Sequence, residues 1–188
     1  LALNYPKDKL RIMVVSDASS DRTDEIVKSF EDKGGVLRRV EGRVGKTEAR
    51  NIALRDVSTE LVLFSDATTD YDSELAIELA KRFKDPKVGM ATGRLEYRSA
   101  KGSPTGIGQK LFWKYESALK KAQSAIGTLT GSVGCATAFR REAYTELPAN
   151  IIEDFTEPLM MVSKGLRVVY EEKAHCSEVT TTRTSQEL

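Results

Sequence analysis

Ile12-Met13-Val14-Val15-Ser16-Asp17-Ala18-Ser19-Ser20-Asp21-Arg22-Thr23 is the stretch that decides the fold. Its apolar run lacks the polar alternation of a half-wet strand, so residues 10–16 read as a strand buried on both faces, as in a parallel sheet. A polar turn over 17–21 follows and offers several helix N-caps. A helix is expected over 23–33, with Ile26, Val27 and Phe30 on one side, stopped by Gly34 and Gly35.

Working outward, the same alternation repeats. Residues 36–40 read as a short strand, 42–45 as a loop, and 46–55 as a helix with Ala49, Ile52 and Ala53 inward. Leu61-Val62-Leu63-Phe64 gives a strand over 61–65 that ends, like the first, at an aspartate, Asp66. A helix over 73–83, apolar at Leu75, Ala76, Leu79 and Ala80, halts before Pro86. Strand–helix alternation signals a parallel α/β sheet covered by helices. Binding residues in such sheets gather at the carboxyl ends of the strands, where Asp17 and Asp66 stand.

The second half is less regular. A strand region over 88–97 is interrupted at Gly93, and 101–108 form a Gly-rich loop. A long helix over 109–126 carries an apolar stripe of Leu111, Tyr115, Leu119, Ala122 and Ile126. A strand over 135–140, a helix over 156–164 and a strand over 166–170 complete the chain. There is no internal repeat and no linker-like boundary, so the 188 residues read as one domain.

Composition narrows the function. With 40% apolar and 30% charged residues, disorder and fibrous repeats are excluded. The 29 Lys+Arg against 28 Asp+Glu leave a net charge of +1, which does not indicate a general nucleic-acid surface. No apolar run approaches the roughly 20 residues that cross a bilayer, and no signal peptide is read. Cys135 and Cys176 are too few for a disulfide scaffold and lack metal-ligand spacing; they read as reduced, small hydrophobic residues of a cytosolic protein. A single histidine, His175, rules out the usual zinc site, and no Gly-x-Ser-x-Gly elbow accompanies it. Chemistry here rests on carboxylates, Lys/Arg and a hard cation.

Individual residues carry that chemistry. Asp17 can accept hydrogen bonds from a uracil imide or a ribose, because Ser20 or Asp21 can cap the following helix in its place. Lys46 opens a helix after the Gly42–Gly45 turn, where free N–H groups and the dipole favour a diphosphate, and Arg50 lies one turn on. The turn is two residues too short between glycines for a Walker A loop. Asp66 suits a Mg²⁺ or Mn²⁺ shared with substrate phosphates, while Asp70, Asp72 and Glu74 read as charge on the next helix N-terminus. Asp154 reads as an acid at a helix start, with Glu153 a solvated neighbour. Trp113 reads as packing and His175 as a packed residue after the last strand. The Gly131–Cys135 segment suits either a close backbone approach to a ligand or a tight turn, and Arg140-Arg141 reads as surface.

Taken in order, five pieces form a pattern: Val14-Val15-Ser16-Asp17, Gly45-Lys46 opening a helix, Leu63-Phe64-Ser65-Asp66, Gly131 with Arg140-Arg141, and Ile152-Glu153-Asp154. From residue 10 to about 178 the chain resembles family 2 glycosyltransferases of the GT-A fold, particularly membrane-bound synthases of cellulose, hyaluronan and poly-N-acetylglucosamine type. The resemblance implies a GT-A-like three-layer α/β/α sandwich with a mostly parallel central sheet. It implies inverting transfer of a sugar from a nucleotide sugar, UDP above all, to a hydroxyl of a growing glycan. Asp17 and Lys46 then hold the nucleotide, and Asp66 the metal-diphosphate. Asp154, the second acid of its pair, takes the acceptor proton as general base.

The pattern departs from the family at three points. No Pro-x-Tyr-Asn-Glu strand precedes residue 10, and no Gln-x-x-Arg-Trp motif follows. The chain is therefore expected to be a soluble fragment, truncated at both ends, of a membrane protein whose catalytic domain faces the cytosol. The family's Asp-x-Asp reads Asp66-Ala67-Thr68, so one anionic metal ligand becomes a hydroxyl and metal affinity should fall. Two alternatives follow: a silent nucleotide-sugar-binding fragment, and a non-processive transferase to a lipid or protein acceptor. An unpaired sheet edge would favour self-association. A dehydrogenase is disfavoured because no Gly-x-Gly-x-x-Gly follows a strand.

Overall fold

The computed structural model describes residues 3–98 and 107–179, with side chains from residue 114 onward in the second stretch. The chain divides into two compact units. One comprises Tyr5–Thr59 with Thr145–Glu153; the other comprises Leu1–Asn4, Glu60–Tyr144 and Asp154–Leu188.

In the smaller unit, β1 (Ile12–Asp17) and β2 (Gly35–Val40) pair in parallel, Ile12 opposite Gly35 and Asp17 opposite Val40. Between them α1 (Thr23–Lys28) is shorter than the sequence suggests. A 3-10 turn over Glu31–Lys33 follows, and Gly34 enters the left-handed region at φ 84°. A helix of under two turns offers few inward positions, so Val27 is buried while Ile26 and Phe30 face solvent. The second helix, α2 (Lys46–Arg55), has the expected bounds and buries Ala49, Ala53 and Leu54. Polar Asn51 is buried too, because its amide donates to the Leu147 carbonyl at 2.7 Å and accepts from the Leu147 N–H at 3.2 Å. One side chain thereby satisfies a whole buried peptide unit.

The larger unit holds a five-stranded sheet in the order β3-β6-β5-β7-β4. Its strands are β3 (Leu61–Phe64), β4 (Asp70–Tyr71), β5 (Val88–Arg98), β6 (Thr137–Arg140) and β7 (Arg167–Val179). β5 and β7 are parallel, while β6 and β4 run against their neighbours. Helices α3 (Leu75–Arg82), α4 (Ile107–Ile126) and α5 (Glu153–Ser163) complete it. Leu75, Leu79 and Phe83, at and just beyond α3, pack with Val88, Ala91 and Val169 of the sheet to form the core. The architecture is the α/β class read from the sequence.

Local differences have physical causes. Gly93 does not break β5 but sits at a register shift, where a Cβ would stand 2.6 Å from the Ala174 carbonyl oxygen. β7 runs to Val179, well beyond residue 170, although Glu171-Glu172-Lys173 interrupts its apolar pattern; Glu171 is buried by its ion pair with Arg82. α4 turns the predicted stripe outward: Tyr115, Leu119 and Ile126 are 67%, 43% and 88% exposed. Its polar side faces β7 instead. The Ser124 hydroxyl accepts the Tyr170 N–H at 3.0 Å, and Arg167 donates to the terminal carbonyls of Gly127 and Ser124. Strand N–H groups and orphan helix carbonyls must be paired, and these pairings choose the face.

Arg140 is not a surface residue. Its guanidinium donates to the carbonyls of Phe83, Asp85 and Val88 and lies over the Phe83 ring at 5.5 Å. Among the described residues no helix is long and apolar enough to cross a membrane.

Candidate active site

Asp17 stands at the carboxyl end of β1, followed by Ala18 at φ 52°, a strained region for a residue with a Cβ. Its two carboxylate oxygens accept the backbone N–H groups of Val44 and Gly45, at 2.9 and 3.0 Å. The start of α1 does not draw on it: Arg22 is the N-cap, and Asp21 just before it accepts from the Thr23 N–H and hydroxyl. Asp17 thus fastens the strand end to the turn that opens α2. That turn needs its glycines: Gly42 and Gly45 lie at φ 76° and 86°. Lys46 is then the first residue of α2, on the positive end of the helix dipole.

Glu153 is a finding the sequence did not give. Far from being a solvated neighbour, its carboxylate accepts the Thr47 hydroxyl at 2.5 Å and lies 4.0 Å from the Arg50 guanidinium. Burial pushes the Glu153 carboxyl up. The Thr47 hydrogen bond, its own backbone N–H and the charges of Arg50 and Lys46 outweigh that and hold it below the usual range. Buried Thr47 and Arg50 are polar residues on the inward side of α2, and that placement was the available signal.

Asp66 lies just past β3, in a turn closed by the Thr69 N–H donating to the Asp66 carbonyl at 3.2 Å. Tyr71 braces the turn's entrance: its hydroxyl, with one proton to give, reaches the Cys135 carbonyl at 2.6 Å and the Phe64 carbonyl at 3.1 Å. Burial, with the Asp66 charge among the lesser causes, pushes the Tyr71 phenol up and keeps it a donor. Asp70 belongs to β4 and pairs with Arg98 rather than charging a helix end. No cluster of three or more His, Cys, Asp or Glu among the described residues is placed to hold a metal by itself. The donors at Asp66 and Thr68 are hard oxygens, which suit a divalent cation whose remaining ligands are diphosphate oxygens.

Asp154 lies in the first turn of α5, because the helix starts at Glu153 rather than near residue 156. It is therefore inside the helix rather than its N-cap, and a negative charge there is favoured by the dipole. Pro158, four residues on, has no N–H to give the Asp154 carbonyl. Ser132 fills the vacancy twice, its N–H at 2.9 Å and its hydroxyl at 3.1 Å. The Asp154 carboxylate rests directly over Gly134, where a Cβ would stand 3.1 Å from its Cγ. The 131–135 segment is thus a shelf built for Asp154, and Pro158 at i+4 was its readable sign. The Trp113 side chain lies outside the described residues, and His175 sits within β7 opposite Arg94.

Asp17, Lys46 and Glu153 belong to the smaller unit, Asp66 and Asp154 to the larger.

Comparison with known proteins gives this arrangement its context. The model of the family described as Glycosyl transferase family 2 matches residues 1–147. The chain is 30% identical over 185 residues to a poly-beta-1,6-N-acetyl-D-glucosamine synthase of Staphylococcus aureus, covering 94% of the chain and 44% of the synthase. The counterpart in Staphylococcus epidermidis matches equally, over 186 residues. The chain thus spans under half the length of these relatives. Among solved structures, a mannosyltransferase from Pyrobaculum calidifontis, in complex with GDP-Man and Mn²⁺, superposes with TM-score 0.79 at 25% identity, over 97% of this chain and 51% of that one. Staphylococcus aureus TarS 1-349, in complex with UDP-GlcNAc, superposes with TM-score 0.64 at 19% identity, over 99% and 54%, and shares the fold.

Proposed function

The chain belongs to glycosyl transferase family 2, and on that premise we propose that it is the catalytic region of an inverting transferase passing a sugar from a UDP-sugar to a hydroxyl of a growing polysaccharide. The observation that carries this reading is the seat of Asp154: a carboxylate at a helix start, its backbone fixed by Ser132 and its side chain over a bare glycine. A general base must be held within hydrogen-bond reach of the proton it removes. In the reaction the acceptor hydroxyl gives its proton to Asp154, and its oxygen bonds to the anomeric carbon. The bond from that carbon to the diphosphate breaks, and the configuration inverts.

The other residues prepare the donor. Asp17 holds the α2 turn in shape while its remaining lone pairs accept from the base or ribose. Lys46, at the start of α2, meets the diphosphate. Glu153, held ionised, keeps Arg50 and Thr47 in place beside it. A Mg²⁺ or Mn²⁺ held by Asp66, with Thr68 as a weaker neutral ligand, would supply charge neutralisation for the departing diphosphate. The names of the staphylococcal relatives support a polysaccharide acceptor, and a parent protein at the cytosolic face of a membrane is part of the same proposal.

Calorimetric titration of UDP, with and without Mn²⁺, tests it on the chain and on the longer protein that carries it. UDP binding strengthened by Mn²⁺ is expected, with the metal effect lost in Asp66→Ala. A GDP titration run alongside separates the nucleotides, since the mannosyltransferase is in complex with GDP-Man. Tighter binding of GDP would overturn the UDP assignment, and absence of any nucleotide binding in the longer protein would overturn the whole reading.

A further inference from the structure

Cys135 and Cys176, small hydrophobic residues by their sequence context, have sulfurs 3.8 Å apart, both residues free and buried. They come from chain segments on opposite sides of β5. Cys176 lies in β7 opposite Leu95, whereas Cys135 ends the turn that leads into β6. β5 is bare at Gly93, whose absent Cβ would lie 3.3 Å from the Ala136 Cβ and 3.5 Å from the Ala174 Cβ. That bareness lets the two flanking segments close over it. We propose that Cys135 and Cys176 are a peroxide-sensitive dithiol whose closure to a disulfide withdraws the shelf beneath Asp154.

The chemistry balances with hydrogen peroxide as the oxidant, a molecule small enough for a buried site. The Cys135 thiolate attacks one peroxide oxygen, the O–O bond breaks, and hydroxide leaves to become water, giving a sulfenic acid. The Cys176 sulfur then attacks that sulfur, the S–O bond breaks, and the departing hydroxide takes the Cys176 proton. Two thiols are oxidised to one disulfide and one peroxide is reduced to two waters. The roles follow from the surroundings of the two sulfurs: the Cys176 thiol donates to the Arg94 carbonyl at 3.5 Å, which keeps its proton in place, so Cys135 is the sulfur that attacks.

Bonded sulfurs stand roughly 2 Å apart, so closure draws them together by almost as much again. Cys176 is clamped in β7 between β4 and β5, opposite Tyr71 and Leu95. The turn at Cys135 is held instead by single hydrogen bonds, from the Tyr71 hydroxyl to its carbonyl and from the Val133 N–H to the Thr92 hydroxyl, and is the partner that yields. Gly134 moves with it, and Gly134 is the residue over which the Asp154 carboxylate rests. The covalent step stands on the sulfur geometry alone; its effect on transfer rests on the function proposed above.

The test treats the longer protein with graded peroxide, quenches, and maps peptides by mass alongside sugar transfer. A reducible Cys135–Cys176 cross-link is expected, with transfer falling roughly tenfold or more as base geometry is lost, nucleotide affinity unchanged, and both restored by a dithiol reductant. Cys176→Ala should transfer normally and keep its rate at the dose that silences the wild type. Oxidation of Cys135 to sulfinic acid without the cross-link would overturn the dithiol. Loss of rate in Cys176→Ala in step with the wild type, or a formed cross-link with undiminished transfer, would overturn the link to Asp154. A protein inactive before any peroxide would instead count against the transferase reading, and the mass map would still decide the cross-link.

Discussion

Gly134→Ala separates the role of Asp154 from the stability of the fold. The added methyl would lie 3.1 Å from the Asp154 Cγ, 3.2 Å from Oδ2 and closer still to Oδ1, against an ordinary contact of at least 3.4 Å. The three nearest atoms all belong to that carboxyl group, so relief comes through the carboxylate. Relieving the contact at Oδ1 moves that group by about 1 Å, and a displacement of this size at a reacting group can cost on the order of 10²-fold in rate. The folding penalty is smaller: an off-rotamer side chain costs about 0.5–1.5 kcal/mol. Transfer should therefore fall about a hundredfold with UDP affinity unchanged and a small drop in melting temperature. The cycle with Asp154→Asn is the sharper assay, because effects through a single group are not additive. Added to Asp154→Asn, Gly134→Ala should change nothing further. Full activity in Gly134→Ala, or an undiminished second loss in the double variant, would refute the reasoning.

Arg140→Ala strips donors from the Phe83, Asp85 and Val88 carbonyls at once and should destabilise the larger unit by about 2–4 kcal/mol in chemical denaturation, leaving UDP affinity alone. The Glu153 carboxyl titrates below its ordinary value of 4.5, so its contribution to stability is complete above that pH and is lost as pH falls through the lowered value. Melting temperatures recorded against pH should show a steeper acid decline in the wild type than in Glu153→Gln. Leu119→Lys and Ile126→Lys on α4 should each change stability by no more than about 0.5 kcal/mol, since both side chains already meet solvent; a loss of several kcal/mol would mean the apolar side faces inward after all.

The last of these marks where sequence reasoning met its limit. Periodicity locates an amphipathic helix but assumes that its apolar side is the packed one. On α4 the outcome was set by Ser124, Arg167 and the strand groups they satisfy, partners 40 or more residues away in the chain. Arg140 was misread for the same reason, because a charged pair looks solvated until the carbonyls it serves are known. What was legible was local: the start of α2 from the glycines before it, β1 and β3 from their apolar runs, and the aspartates closing both. Asp154 was found at its helix start. Its shelf required Ser132, whose part becomes visible only once Pro158 is seen to leave a carbonyl without its helical donor.

The β5–β7 ladder also governs how the molecule comes into being. Met90 faces Val168, nearly 80 residues later, whereas Ile12 faces Gly35 after little more than 20. Closing such long loops is slow, and a ribosome adds only about 5–20 residues each second. The β1–β2 pair can assemble while the chain is still growing. The central strand of the larger sheet must wait, one edge unpaired, until almost the last described residue has been made. For those seconds β5 is the segment most in need of a chaperone, and variants that slow β7 should show themselves first as poor yield during synthesis rather than as a low melting temperature.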